Sequence, residues 1–149
     1  MSTPNDSSSG DRLPAGGPFR LHHVGIVVRR LEEGRTVYRR LGFDVDTPVF
    51  EDPIQRVLVQ FILPAADVLV ELIEPAGADS PVSRFLEKSG PGLHHLCYEV
   101  DDIDRACELL RDEGGIVTCE PVPAVAFSGR RVAFVYWQRS IVEFVEAPA

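Results

Sequence analysis

The sequence contains an internal repeat whose two copies lie 72 positions apart. Residues 21–28 read LHHVGIVV and residues 93–100 read LHHLCYEV. The segments VLVELIE at 68–74 and SIVEFVE at 140–146 keep the same spacing. Self-similarity at a fixed period indicates that one supersecondary unit is used twice. The chain is therefore expected to fold as two equivalent halves.

Each copy has the pattern of a strand, a helix and then three strands. In the first copy the predicted elements are a strand at 21–28, a helix at 31–41, and strands near 43–49, 55–63 and 67–74. In the second copy a helix follows Asp101 or Asp102 and ends at Gly114. Its strands lie near 116–122, 130–137 and 140–146. Between the copies, a short helix is predicted from Ser80 and Pro81 to Leu86.

Two histidines and two glutamates occupy equivalent positions in the two copies. Strand alternation places all four on the sheet face that points away from the helices. A buried carboxylate without a partner is costly, and one divalent cation removes that cost for both glutamates. We therefore predict a single metal site formed by His23, Glu71, His95 and Glu143. Co, Mn, Ni and Zn all suit these ligands. The adjacent His22 and His94 are predicted to be hydrogen-bonded or partly exposed.

A βαβββ unit leaves one face of its sheet uncovered by helix, so two units can enclose a shared hollow. The predicted fold class is α+β, with two paired βαβββ modules forming a curved open sheet, or half-barrel, around the metal site. Residues 20–149 are predicted to form one domain, made of module one at 20–75, a linker helix within 76–91 and module two at 92–147. Residues 1–19, rich in Ser, Pro, Gly and Asp, are predicted to be a disordered tail.

Composition narrows the classes of partner. The net charge of −8 argues against nucleic acid or an anionic membrane surface as a partner. It still allows a small-molecule substrate, even an anionic one, because such a ligand needs only a local positive patch. The three cysteines form no CxxC pair, which is typical of reduced thiols. No apolar stretch has the length of a membrane span or the character of a signal peptide, so we expect a cytoplasmic protein.

Several segments resemble the vicinal oxygen chelate superfamily and, within it, the methylmalonyl-CoA epimerase family. They are LHHVGIVV, ELIEP, DSPVSRFLEKSGPGLHHLCYEVDDID and IVEFVE, and the resemblance spans residues 20–147. It implies paired βαβββ modules with metal ligands on the first and last strands of each module. By position, these ligands are His23, Glu71, His95 and Glu143.

The resemblance also implies a function. It points to a metal-dependent isomerase or epimerase that forms a metal-stabilised enolate from an acyl thioester such as methylmalonyl-CoA. Glu143 is the first candidate for the catalytic base, and Glu71 is the alternative. The substrate is expected to be linked to CoA or to a carrier protein, and the protein is expected to be a homodimer. The alternatives are a glyoxalase-like lyase, a cyclase or dehydratase of secondary metabolism, and a non-catalytic drug-binding protein.

Other residues are predicted to contact the substrate. Val57, Val59 and Phe61 should line an apolar hollow, and Arg130 and Arg131 should hold an anionic tail. A second basic cluster lies on and near the first helix. It is either a solvated face or a binding site for CoA phosphates or a carrier-protein arm, and it consists of Arg29, Arg30, Arg35, Arg39 and Arg40.

The chain departs from the resembled family in two places. The resembled epimerases carry an HPK-like motif before the last strand, in a stretch that belongs to the mouth of the substrate site, whereas residues 136–139 of this chain read YWQR. The second departure lies on the third strand. Some epimerases carry a second acid on the third strand, where this chain has Val59. Gln60 should point to the opposite face unless the alignment is shifted by one residue. The sequence therefore predicts no second acid facing the metal.

Overall fold

The computed structural model describes residues 19–64 and 68–149. The tail predicted for 1–19 lies outside this part of the chain, except for Phe19. The Phe19 ring stacks on Phe144 with 5.4 Å between ring centroids, directly before the first strand. None of the helices in the described part of the chain has the length and apolar character needed to cross a membrane.

The elements follow the duplicated order that the repeat predicts. The first half contains β1 (Arg20–Val27), α1 (Leu31–Arg40), β2 (Phe43–Val45), β3 (Phe50–Asp52), β4 (Val57–Pro64) and β5 (Val70–Pro75). Helix α2 (Pro81–Ser89) connects the halves. The second half contains β6 (Gly92–Val100), α3 (Ile103–Asp112), β7 (Ile116–Pro123), a 3₁₀ turn (Val125–Phe127), β8 (Arg131–Trp137) and β9 (Ser140–Glu146).

Within the described residues, all nine strands belong to one open sheet. Its order is β2-β4-β5-β1-β6-β9-β8-β7, and β3 pairs with β4 at one side. Strands β1 and β5 are parallel, as are β6 and β9, while β1 and β6 pair antiparallel and join the two halves. The predicted α+β class and the open curved sheet are confirmed.

Capping residues set where helices α2 and α3 begin and where α2 ends. The Asp102 carboxylate accepts a hydrogen bond from the Arg105 amide at 2.9 Å, which caps α3. Helix α2 starts with Pro81 and runs past the predicted end at Leu86 to Ser89. It stops at Gly90, whose positive φ of 71° favours glycine.

One predicted strand is wrong in its extent. The strand expected over 43–49 ends at Val45, and a separate strand, β3, covers Phe50–Asp52. Pro48 cannot donate a hydrogen bond to a sheet, so it separates the two short pieces. This division matters because β3 borders the hollow of the sheet.

The two faces of the sheet are packed differently. One face carries α1 and α3, which bury Leu31, Ile103 and Ala106 against the strands. On the opposite face, α2 contributes Val82 and the 3₁₀ turn contributes Phe127 to two further apolar clusters. The hollow face is therefore partly closed by α2 and the 3₁₀ turn, which leaves a cavity rather than an open surface.

Candidate metal centre

The four residues predicted as ligands lie together at the centre of the sheet. Their donor atoms lie within 4.8 Å of one another, and all four side chains are buried. The Nε2 atoms of His23 and His95 are 3.2 Å apart. Glu143 Oε2 lies 3.1 Å from His23 Nε2 and 2.9 Å from His95 Nε2, and the corresponding distances from Glu71 Oε2 are 3.3 and 3.5 Å.

Strand register produces this convergence. Gly25 lies opposite Glu71 in the β1–β5 pair and opposite His95 in the β1–β6 pair. Cys97 on β6 is the equivalent residue of the second half. It lies opposite Glu143 in the β6–β9 pair and opposite His23 in the β1–β6 pair. A Cβ atom at Gly25 would lie only 2.2 Å from the His95 ring. Gly25 therefore lets that imidazole lie directly on the backbone of β1.

Each candidate histidine ligand contacts the histidine that precedes it in sequence. The Nδ1 atoms of His22 and His23 are 2.9 Å apart, and those of His94 and His95 are 2.8 Å apart. The tautomer that leaves Nε2 of His23 or His95 free to bind a cation carries its proton on Nδ1 and donates it to this neighbour. The neighbouring histidines, predicted only to be hydrogen-bonded or exposed, thus orient both rings.

The pKa values of the four side chains depend on their burial and on the attraction between the imidazoles and the carboxylates. Burial disfavours a charge on His23, but Glu71 and Glu143 outweigh it and raise the His23 pKa to about 10. The pKa of His95 is raised for the same reasons. Burial opposes ionisation of both glutamates, yet the two imidazoles lower their pKa values. Without a cation, proton charge on the rings offsets the negative charge of the carboxylates.

The donor set fits a cation better than it fits a closed hydrogen-bond network. Glu143 Oε2 is buried and has no hydrogen bond of acceptable geometry among the described residues, although both imidazoles are near. An unsatisfied buried carboxylate oxygen is unfavourable. Two nitrogens and two carboxylate oxygens directed at one point form a donor set that Zn, Co, Ni and Mn all accept.

Metal uptake should release protons. Because its raised pKa of about 10 keeps His23 protonated near neutral pH, and the pKa of His95 is raised as well, a metal must displace at least about one proton to bind both rings. Affinity should therefore rise with pH up to the pKa of His23. Calorimetric titration with Co²⁺ in buffers of different ionisation enthalpy measures this number. Proton release near zero would contradict metal binding by both imidazoles.

A cavity of about 370 Å³ lies over the centre. Glu71, His95 and Glu143 form part of its wall, and the remaining wall is mostly apolar. Of the residues predicted to line the hollow, Val57 and Val59 do so. Phe61 lies beneath it instead, with its ring 5.4 Å from that of His23. The size and lining are typical of a small-ligand pocket.

The two arginines predicted to hold an anionic tail lie away from this cavity wall. Arg130 pairs with Glu99 at 2.9 Å and donates to the Glu146 carbonyl. Arg131 pairs with Glu146 and with Asp104 on α3. Their charges are balanced by these carboxylates, so their positions give no support to a role in substrate binding.

The cavity wall contains an acid that the sequence patterns do not predict. Asp52 is buried, and it lines the cavity together with Glu71 and Glu143. Its Oδ1 accepts hydrogen bonds from the amides of Ile54 and Gln55, both at 2.9 Å. Gln60 points to the other face as predicted, where it contacts Arg35 and Thr47. This acid lies on β3, a strand that falls between two of the strands predicted from the sequence.

Comparison with known proteins identifies the class to which this fold and site belong. Residues 22–134 match the Glyoxalase/Bleomycin resistance protein/Dioxygenase superfamily, the vicinal oxygen chelate group that the sequence resembles. The chain belongs to this superfamily.

Its relatives include named epimerases. An ethylmalonyl-CoA/methylmalonyl-CoA epimerase of Cereibacter sphaeroides is 40% identical over 120 residues, which cover 78% of this chain and 87% of that protein. The mitochondrial methylmalonyl-CoA epimerase of Bos taurus is 34% identical over 142 residues, covering 91% and 79% of the two chains.

Solved structures show the same similarity. The methylmalonyl-CoA epimerase of Mycobacterium tuberculosis superposes with a TM-score of 0.73 at 28% identity, covering 86% of this chain and 88% of that one. A Streptomyces coelicolor methylmalonyl-CoA epimerase variant in complex with 2-nitronate-propionyl-CoA gives a TM-score of 0.74 at 27% identity. That match covers 89% of this chain and all of the other (100%).

Proposed function

We propose that this chain is a metal-dependent epimerase of an acyl-CoA thioester, with methylmalonyl-CoA as the first substrate to test. The observation that carries the proposal is the buried cluster of two imidazoles and two carboxylates in the wall of a small apolar cavity. The named epimerases among its relatives support the same reaction. Epimerisation needs proton removal on one face of the α-carbon and proton delivery on the other.

His23, Glu71, His95 and Glu143 are proposed to hold one divalent ion, with Co, Mn, Ni and Zn as the metals that suit these donors. When bound, the ion supplies Lewis-acid chemistry, because it polarises a carbonyl oxygen and stabilises the negative charge that develops as the α-proton leaves. His22 and His94 hold the two ligand rings in orientation through their Nδ1 contacts.

The acids in the cavity wall are proposed to move the proton. Glu143 is the proposed base, since its carboxylate borders the cavity and its Oε2 has no hydrogen bond of acceptable geometry within the described residues. Asp52 is proposed as the second proton-transfer group. It reaches the cavity from β3 in the first half, whereas Glu143 comes from β9 in the second half. The apolar wall with Val57 and Val59 excludes water from the exchanging proton.

The decisive experiment follows both the configuration and the α-proton of one enantiomer of methylmalonyl-CoA in deuterated water. With metal-loaded protein, we expect conversion to the other enantiomer together with deuterium at the α-carbon. With metal-free protein, both should stop and should return when Co²⁺ is added. Metal-loaded protein that causes neither exchange nor inversion would contradict the proposed function and would favour a lyase on the same fold.

A further inference from the structure

A second and larger concave region, of about 900 Å³, lies beside the reaction cavity. It runs between α2, the start of β6 and the hairpin that joins β8 to β9. We call it the basic groove, because its rim carries three cationic side chains: Arg84, Lys88 and Arg139. Its lining contains no carboxylate among the described residues.

None of these three cations forms an ion pair with a carboxylate among the described residues, whereas several other arginines do. Arg56, Arg111 and Arg131, for example, each form an ion pair with a carboxylate. Arg84 and Lys88 lie one turn apart on the exposed side of α2, and Arg139 lies across the groove. A chain with a net charge of −8 thus presents an acid-free, positive groove. Such a local field favours a ligand with several negative charges.

The backbone at Arg139 is a separate sign of function. Trp137 pairs with Ser140, so Gln138 and Arg139 form a two-residue hairpin loop, and their φ angles are 48° and 64°. Loops with two positive φ angles strongly prefer Asn-Gly or Gly-Gly. A long arginine side chain in this conformation is strained, and such strain is concentrated at binding and catalytic sites.

The groove is continuous with the reaction cavity, because Pro81, His94, His95 and Ile141 line both. Its floor is apolar and open to solvent. Leu93 is 61% exposed and Tyr136 is 44% exposed, so both present apolar surface to a ligand in the groove. A ligand with its reacting end in the cavity would therefore extend over an apolar floor and end among cations.

We propose that the basic groove binds the nucleotide end of the CoA thioester. The phosphates of the adenosine 3′,5′-bisphosphate unit contact Arg84, Lys88 and Arg139, and the uncharged pantetheine arm lies on the apolar floor. The inference rests on the proposed function, and it names the part of the substrate that the reaction cavity cannot hold. In this proposal the CoA phosphates bind to α2 and to the β8–β9 hairpin, and not to the cluster of arginines on and near α1.

The test compares two variants that remove the same positive charge. The groove variant combines Arg84→Gln, Lys88→Gln and Arg139→Gly, in which glycine also relieves the strained φ. The control variant combines Arg29→Gln, Arg39→Gln and Arg40→Gln, which are exposed in the described structure. For each protein, KM is measured for methylmalonyl-CoA and for methylmalonyl N-acetylcysteamine thioester, which lacks the nucleotide. Affinity for adenosine 3′,5′-bisphosphate is measured by calorimetry.

In the groove variant, we expect the ratio of the CoA thioester KM to the truncated thioester KM to rise about tenfold or more, the effect of losing one or more charge-assisted contacts. Affinity for the bisphosphate should fall in parallel, and the control variant should match the wild type. Equal changes for both thioesters, or equal effects in both variants, would overturn the inference. So would loss of self-association in the groove variant with unchanged KM values, since the groove would then bind a second copy.

Failure of the proposed function gives a different result. If the wild type turns over neither thioester, the epimerase proposal fails, while bisphosphate binding still tests the groove directly. Bisphosphate bound by the wild type and the control, but not by the groove variant, supports the site even then. No binding by the wild type overturns it.

Discussion

Replacing Glu143 by glutamine is expected to slow epimerisation by about 10²–10⁴-fold, the range over which a positioned general base contributes. The Glu143 carboxylate is buried, borders the cavity and lies within 3.1 Å of both ring nitrogens. Glutamine has nearly the same volume and keeps one oxygen, but its amide cannot take a proton from carbon. The rate of inversion of methylmalonyl-CoA, measured with the metal content of each preparation, checks this expectation.

Glu71→Gln is the matched control, because Glu71 holds the equivalent position in the first half. Its Oε2 lies farther from the rings, at 3.3 and 3.5 Å, and it also borders the cavity. The amide oxygen of glutamine can still serve as a ligand, so a smaller loss is expected. A larger loss for Glu71→Gln than for Glu143→Gln, at equal metal content, would transfer the role of base to Glu71.

Replacing Asp52 by asparagine is expected to separate proton exchange from inversion. Asparagine retains a carbonyl oxygen that can accept from the Ile54 and Gln55 amides, so the turn should persist. If Asp52 serves one face of the α-carbon and Glu143 the other, inversion should fall by about 10²-fold or more. One enantiomer should still exchange its α-proton with deuterated water, because Glu143 can remove and return it.

Glu51→Gln provides the control, since Glu51 lies next to Asp52 in β3 but is exposed. It should leave both rates unchanged. Parallel losses of exchange and inversion in Asp52→Asn, with normal folding and metal content, would contradict the two-base account. The role of Asp52 would then be confined to the turn that it forms with Ile54 and Gln55.

The fold was largely predictable because one repeat constrains it twice. Strand alternation places His23 and Glu71 on one face, and the 72-residue spacing places His95 and Glu143 on the equivalent face. The sequence does not show how the two halves are joined. In the structure they join through the antiparallel pairing of β1 with β6. The register between strands that are distant in sequence depends on how the two halves pack together, and no short sequence pattern specifies it.

The remaining parts of the site could not be predicted from local patterns. Asp52 lies in a strand of three residues, too short for alternation to be visible, and Pro53 marks the segment as a turn. Phe127, which stacks on His23, lies in a 3₁₀ turn without periodicity. The charge of Arg130 and Arg131 and their loop position predict contact with the substrate, but the sequence does not show that both also pair with acids.

The most direct test of the account is the stoichiometry of metal binding. Calorimetric titration of metal-free protein with Co²⁺, supported by elemental analysis, should give one ion per chain in the wild type. Single alanine substitutions at His23, His95, Glu71 or Glu143 should each weaken binding strongly, whereas the exposed substitution Glu51→Gln should not. One tightly bound ion in a protein lacking all four side chains, or none in the folded wild type, would contradict the account.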